Sequence, residues 1–208
     1  MLTYGLAQPA DLSTIAELFQ QAFPEALETV FGRPRIPPAA VEDAFSILYR
    51  MEPDGFFVAR EQGTGVAYGI VVRDFSRLKR RLLWGGRIFP LVWRFLSGRY
   101  RGIGFSFILR LLKAGWDYRK ADRLDEQKDQ AQVLSIAVAK EWRRHGIGEE
   151  LTRLGLEHLA QQGARAVRLE VHAEKQEAVA LYRKLGFREK GRILSPRGAA
   201  LVMIRSLP

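Results

Sequence analysis

The residues from Gln132 to Ala139 form a nearly continuous apolar run that leads within a few positions into Arg143-x-x-Gly146-x-Gly148. A run of this length and hydrophobicity predicts a central strand covered on both faces. Directly beyond the glycines, Leu151, Leu154, Leu156 and Leu159 recur at helical spacing between Glu149 and Gln161, and Gly163 supplies the stop. A buried strand, a glycine turn and an amphipathic helix in immediate succession commit the chain to a layered fold in which the helix packs back on the sheet. The turn also has chemical capacity. Its glycines let the backbone come close to a ligand, and the first helical amides are free donors at the positive end of the helix dipole. That arrangement suits a pyrophosphate at the first helical amides, with Arg143, Arg144 and His145 adding positive charge. Glycines also make tight turns that bind nothing. Neither Gly-x-Gly-x-x-Gly nor Gly-x-x-x-x-Gly-Lys-Ser/Thr occurs in the chain.

The remaining elements follow from local pattern. Leu2 to Leu6 reads as a short strand, and Asp11 caps a helix carrying Leu12, Ile15, Leu18, Phe19 and Phe23. A second helix is expected over Pro38 to Arg50, with Val41, Phe45, Ile47 and Leu48 on its apolar side and Pro53-Asp54-Gly55 as the turn beyond it. Phe56 to Arg60 and Val66 to Asp74 flank Glu61 to Gly65 as an antiparallel hairpin. Ala166 to His172 alternates Val167, Leu169 and Val171 with Arg168, Glu170 and His172, the period of a half-buried strand. Glu174 to Leu185 is a last helix closed by Gly186, and Phe187 to Ile193 and Ala200 to Ser206 form a final strand pair. The order β-α-α-β-β-insert-β-α-β-α-β-β is an α/β (α+β) arrangement, a mixed twisted sheet flanked by helices. With 208 residues, 47% of them hydrophobic, residues 1–208 are expected to form a single domain.

Composition removes several chemistries. There is no cysteine, so disulfides, thiolate catalysis and Cys-based metal sites are excluded. The three histidines, His145, His158 and His172, lack a paired spacing, and no metal is expected. The first dozen residues have neither a basic start nor a continuous apolar core, so no secretory signal is expected. Ile88 to Leu96 and Ile103 to Leu112 are interrupted by Arg94 and Arg110 and are too short to span a bilayer. The expectation is a soluble, cytoplasmic protein.

Two strings carry a family resemblance. Leu134 to Leu151, containing Arg143-Arg144-His145-Gly146-Ile147-Gly148, resembles the coenzyme A motif of the GNAT N-acetyltransferase superfamily, (Gln/Arg)-x-x-Gly-x-(Gly/Ala). Leu169-Glu170-Val171 and Ala178 to Phe187, which includes Tyr182, resemble that superfamily's second motif. The resemblance covers roughly Gln132 to Phe187. It implies an acetyl-CoA cosubstrate and an N-acetyltransferase that acylates a primary amine, on a small molecule or a peptide, by direct attack on the thioester. Backbone groups of Ile136, Ala137 and Val138 would pair with the pantetheine arm, and Arg143, Arg144, His145, Gly146, Ile147 and Gly148 would hold the pyrophosphate. Tyr182 matches the residue that protonates the departing thiolate; a phenol anchoring the last helix is the plain alternative. A non-catalytic module that binds acyl-CoA, a partner or a membrane surface is the other class of reading. The pattern is broken twice. Lys175 stands where the second motif carries asparagine, and is read either as a contact to coenzyme A phosphates or as a solvated side chain. The neutral Gln132 stands where many relatives place an acidic base. Glu170, His172, Glu126 and Asp129 are the nearby alternatives, and the base is unassigned.

The resemblance does not extend to the stretch between the third and fourth strands. Net charge is +10, yet between Arg77 and Lys120 twelve basic residues face the single Asp117, so the rest of the chain is near neutral. Residues 75–131 read as a helical, basic, aromatic-rich insertion, with one helix expected from Ile103 to Tyr118. Three readings stand for it: a helical excursion packed on its own domain or on a twin subunit, as a homodimer; a surface for anionic lipid or an acidic partner through residues 77–120; and nucleic-acid contact, disfavoured because no binding motif accompanies it. Bordering the strand where an acceptor would enter, it is expected to shape the acceptor pocket.

Overall fold

The computed structural model of the protein describes residues 1–84, 86, 89–98, 131–195 and 198–208. Among these, seven strands form one sheet: β1 (Leu2–Leu6), β2 (Phe56–Glu61), β3 (Thr64–Val72), β4 (Ala131–Val138), β5 (Ala166–His172), β6 (Arg188–Ser195) and β7 (Gly198–Ser206), in the spatial order β1-β2-β3-β4-β5-β7-β6. Neighbours are antiparallel except β4 and β5, which are parallel. A parallel pair needs a crossover, and α6 (Ile147–Gln161) supplies it.

Both faces of the sheet's centre are covered, so period-two alternation sorts the strand residues between two cores. Phe56, Val58, Tyr68 and Ile70 pack with α1 (Leu12–Ala22) and α3 (Pro38–Met51) through Ile15, Leu18, Val41 and Phe45. Phe57, Ala59, Val71, Val133 and Leu169 pack on the opposite face with Ile147, Leu151 and Leu159 of α6 and Val179 of α7 (Gln176–Lys184). A glycine sets how closely α6 can approach. A Cβ at Gly155 would lie 2.6 Å from Cγ1 of Val71. Gly155→Ala is therefore expected to cost about 1–3 kcal/mol by overpacking, read as a lower denaturant midpoint; an unchanged midpoint would show that α6 can shift off β3 freely.

The expected elements form, with boundaries displaced by a few residues, and Ala166–His172 is reproduced at both ends. One helix was not anticipated. α2 (Pro24–Phe31) follows α1 after one residue, begins with Pro24 at its first position and ends at Gly32 in the left-handed conformation, φ 77°. Proline is preorganised for that first position, because the amide it lacks would have no helical partner. Between β3 and β4 the insertion opens with α4 (Phe75–Trp84) and α5 (Phe89–Leu96). The helix expected over Ile103 to Tyr118, and Glu126 and Asp129, lie outside the described residues. No helix among the described residues is long and apolar enough to cross a membrane.

Candidate active site

The site begins with an irregularity in β4. Along β3 the register steps from Ile70 opposite Ser135 to Val71 opposite Val133, which leaves Leu134 as an extra residue, a β-bulge. Bulges bend a strand and increase its twist. Pairing of β4 with β5 is confined to Ala131/Val167, Gln132/Arg168 and Val133/Leu169, and ends where the bulge begins. Beyond that point β4 continues to pair with β3 through Ile136/Gly69, Ala137/Tyr68 and Val138/Ala67, while its other edge has parted from β5. The opening is a cleft of about 1000 Å³.

Ile136, Ala137 and Val138 line this cleft, as do Arg143, Arg144, Gly146, Ile147, Gly148, Lys175 and Tyr182. Nine of the ten residues proposed from the sequence to hold the cosubstrate thus fall on one surface with the proposed catalytic tyrosine. His145 stands apart from it: its Nδ1 lies 2.8 Å from the Arg143 carbonyl and its ring rests beside Trp142.

The turn into α6 is built as a donor cluster. Gly146 is the N-cap, at φ 77°, and no side chain caps the helix. Nothing lies within 4 Å of a Cβ placed at Gly146, so glycine is needed there for its conformation and not for space. Arg144 precedes it at φ 66°, a left-handed conformation unusual for a residue with a side chain. The first intrahelical bond runs from the Glu150 amide to the Gly146 carbonyl, so the amides of Ile147, Gly148 and Glu149 are the helix's orphan donors. Glu149, in the first turn, accepts from Lys184 Nζ at 2.7 Å and from an Arg153 nitrogen at 3.0 Å, and these contacts hold its carboxyl below the usual range.

The cations of the cleft are differently placed. Arg143 Nε donates to the Val138 carbonyl at 3.3 Å. Arg144 spans to Glu177 on α7 at 2.6 Å, in an exposed pair worth little to stability. Lys175, on the cleft wall, has its Nζ 4.8 Å from the centre of the Phe23 ring and 3.5 Å from the Ala22 carbonyl, bridging the start of α7 to the end of α1.

Tyr182 projects from α7 with its ring edge-on to Phe187, centroids 5.8 Å apart. Burial pushes its phenol up to about 12, so the group is protonated throughout the neutral range. Near the vertex, Glu170 directly follows the last residue of β5 that pairs with β4, lines the cleft with His172, and accepts from Arg168 at 2.8 Å. Gln132 is buried below the vertex, outside the lining. Sequence reasoning missed Ser135, whose hydroxyl meets the fully buried Tyr68 phenol at 2.8 Å on the cleft wall. Only the cross-strand register reveals that pair.

Comparison with known proteins defines the class. Residues 12–187 match the acetyltransferase (GNAT) family. The chain belongs to that family, whose cosubstrate is acetyl-CoA. It is 40% identical over 72 residues to the mycothiol acetyltransferase of Corynebacterium efficiens, a match covering 35% of this chain and 22% of that protein. It is 38% identical over 61 residues to the [ribosomal protein bS18]-alanine N-acetyltransferase of Escherichia coli strain K12, covering 29% of this chain and 41% of that one. The likeness therefore spans less than half of either relative. Among solved structures, YncA from Salmonella typhimurium, solved with its cofactor acetyl-CoA, superposes with a TM-score of 0.63 at 12% identity over 100% of this chain and 95% of that one. That likeness is one of fold.

Proposed function

We propose that the chain is an acetyl-CoA-dependent N-acetyltransferase that acylates a primary amine by direct attack, with the splayed β4/β5 cleft as its active site. The observation that carries this reading is the meeting of an unpaired strand edge, an uncapped helix N-terminus and a protonated tyrosine in one cleft. These features fit the cosubstrate. The orphan amides of Ile147, Gly148 and Glu149, with Arg143 beside them, would hold the two linked phosphates. The free edge of Ile136 to Val138 would bond the amide groups of pantetheine. When bound, acetyl-CoA supplies the thioester carbonyl that an amine attacks and the thiolate that leaves.

The chain's own groups divide the remaining work. An alkylamine, with a pKa near 10.4, is mostly protonated at neutral pH and cannot attack until it loses a proton. The Glu170 carboxylate, at the vertex, would attract the ammonium and receive that proton directly or through water. Tyr182 Oη faces the opposite requirement. At about 12 against about 8.5 for an ordinary thiol, complete transfer of its proton to a free thiolate is uphill. Its role is then to donate a hydrogen bond to the leaving sulfur while the C–S bond breaks.

This yields a pH prediction. Activity on an alkylamine is expected to rise with pH as the amine is deprotonated, with no descending limb from Tyr182 below pH about 12. A fall that shifts when Tyr182 is replaced would contradict the assignment. The broader test is acetyl-CoA-dependent thiol release across a panel holding small amines and peptides beginning with alanine, since the two relatives' names cover a small molecule and a ribosomal protein. Release with some member and acetylated product by mass spectrometry support the reading; binding of acetyl-CoA without release for any member would favour a non-catalytic module.

A further inference from the structure

We propose that α4 and α5 form a docking surface that rests this protein on an anionic lipid surface. The argument starts from how α4 spends its apolar residues. Leu78 is buried, and Phe75 and Leu82 pack against the cluster of Met51 and Val72. That stripe faces inward and leaves Arg77, Arg80 and Arg81 exposed on the other side. α5 presents two aromatic side chains outward. Phe89 and Trp93, one helical turn apart, are 64% and 62% exposed, and their rings stack at 6.4 Å with 21° between planes. Arg94, next to Trp93, is tied inward by an ion pair to Asp43 of α3. Both helices are anchored on α3, α5 through Asp43 and α4 through Ile47, Leu48 and Met51.

An exposed, stacked Phe/Trp pair and a run of exposed arginines on successive helices that share α3 as support are the pattern of an interfacial element, with rings at the acyl boundary and guanidinium groups among anionic headgroups. A specific protein partner is registered by a pattern of both signs, and α4 and α5 carry no acidic residue. A uniformly charged, continuous surface is the better complement.

The test is co-sedimentation of the whole chain with vesicles of phosphatidylcholine alone and of an equimolar mixture with phosphatidylglycerol. Retention is expected on the mixed vesicles, weakened by salt, and not on phosphatidylcholine. Exchanging Arg77, Arg80 and Arg81 for glutamate is expected to weaken it about 100-fold or more, each lost basic residue counting for about fivefold. Trp93→Ser is expected to weaken it about tenfold. Because Arg77 and Arg81 lie close enough to Glu52 to influence its carboxyl, the Trp93 variant keeps the test readable should the triple variant fold poorly. Absent retention, equal retention on phosphatidylcholine, or retention indifferent to Trp93 would overturn the proposal. So would capture by immobilised polyglutamate in place of vesicles, which would assign the surface to an acidic protein.

Discussion

Replacing Tyr182 by phenylalanine is expected to lower turnover about 10²- to 10³-fold while leaving the affinity for acetyl-CoA unchanged. The substitution is clean because it removes one hydroxyl and keeps the ring that packs on Phe187. Among the described residues that hydroxyl has no hydrogen-bond partner to orphan, so the fold should tolerate its loss. A packing role predicts the opposite pattern, with turnover kept in the variant. Single-turnover kinetics with saturating acetyl-CoA separate the two outcomes, and an unchanged rate would remove Tyr182 from the chemistry.

The second large effect is expected at the turn. Gly148→Asp places a carboxylate among the amides that would hold the phosphates. A Cβ at Gly148 meets only ordinary contacts, Val138 at 3.7 Å and Leu181 at 3.8 Å, so the position has room. An acid in the first turn also favours the helix electrostatically. The protein should therefore stay folded while its cosubstrate is repelled. Losing about two charge-assisted hydrogen bonds, at about 1.5–3 kcal/mol each, corresponds to a weakening of about 100-fold or more. Affinity within a factor of about two of wild type, well inside what one such bond is worth, would place the phosphates elsewhere.

The parts of this site that were legible in the sequence are those encoded locally. Alternation of Val167, Leu169 and Val171 marked β5 to the residue because one face must be apolar and the other need not be. Gly146 and Gly148 between a buried run and a leucine-spaced helix marked the turn. What escaped depends on residues far apart in the chain. The bulge at Leu134 looks like one more apolar residue in a strand, and only its register against Ile70 and Val71 shows that the strand bends there. Lys175 offers no clue that it will lie over Phe23, because the contact joins residues about 150 positions apart at the ends of two different helices. α2 was hidden because Pro24 ordinarily signals an interruption, and here it is also a start.

The account rests on the cleft between β4 and β5 being where acetyl-CoA binds. Calorimetric titration of acetyl-CoA into the wild-type chain and into Gly148→Asp tests this most directly. One saturable site in the wild type, lost or greatly weakened in the variant, is the predicted result. No heat and no affinity in the wild type, or the same affinity in both, would contradict it.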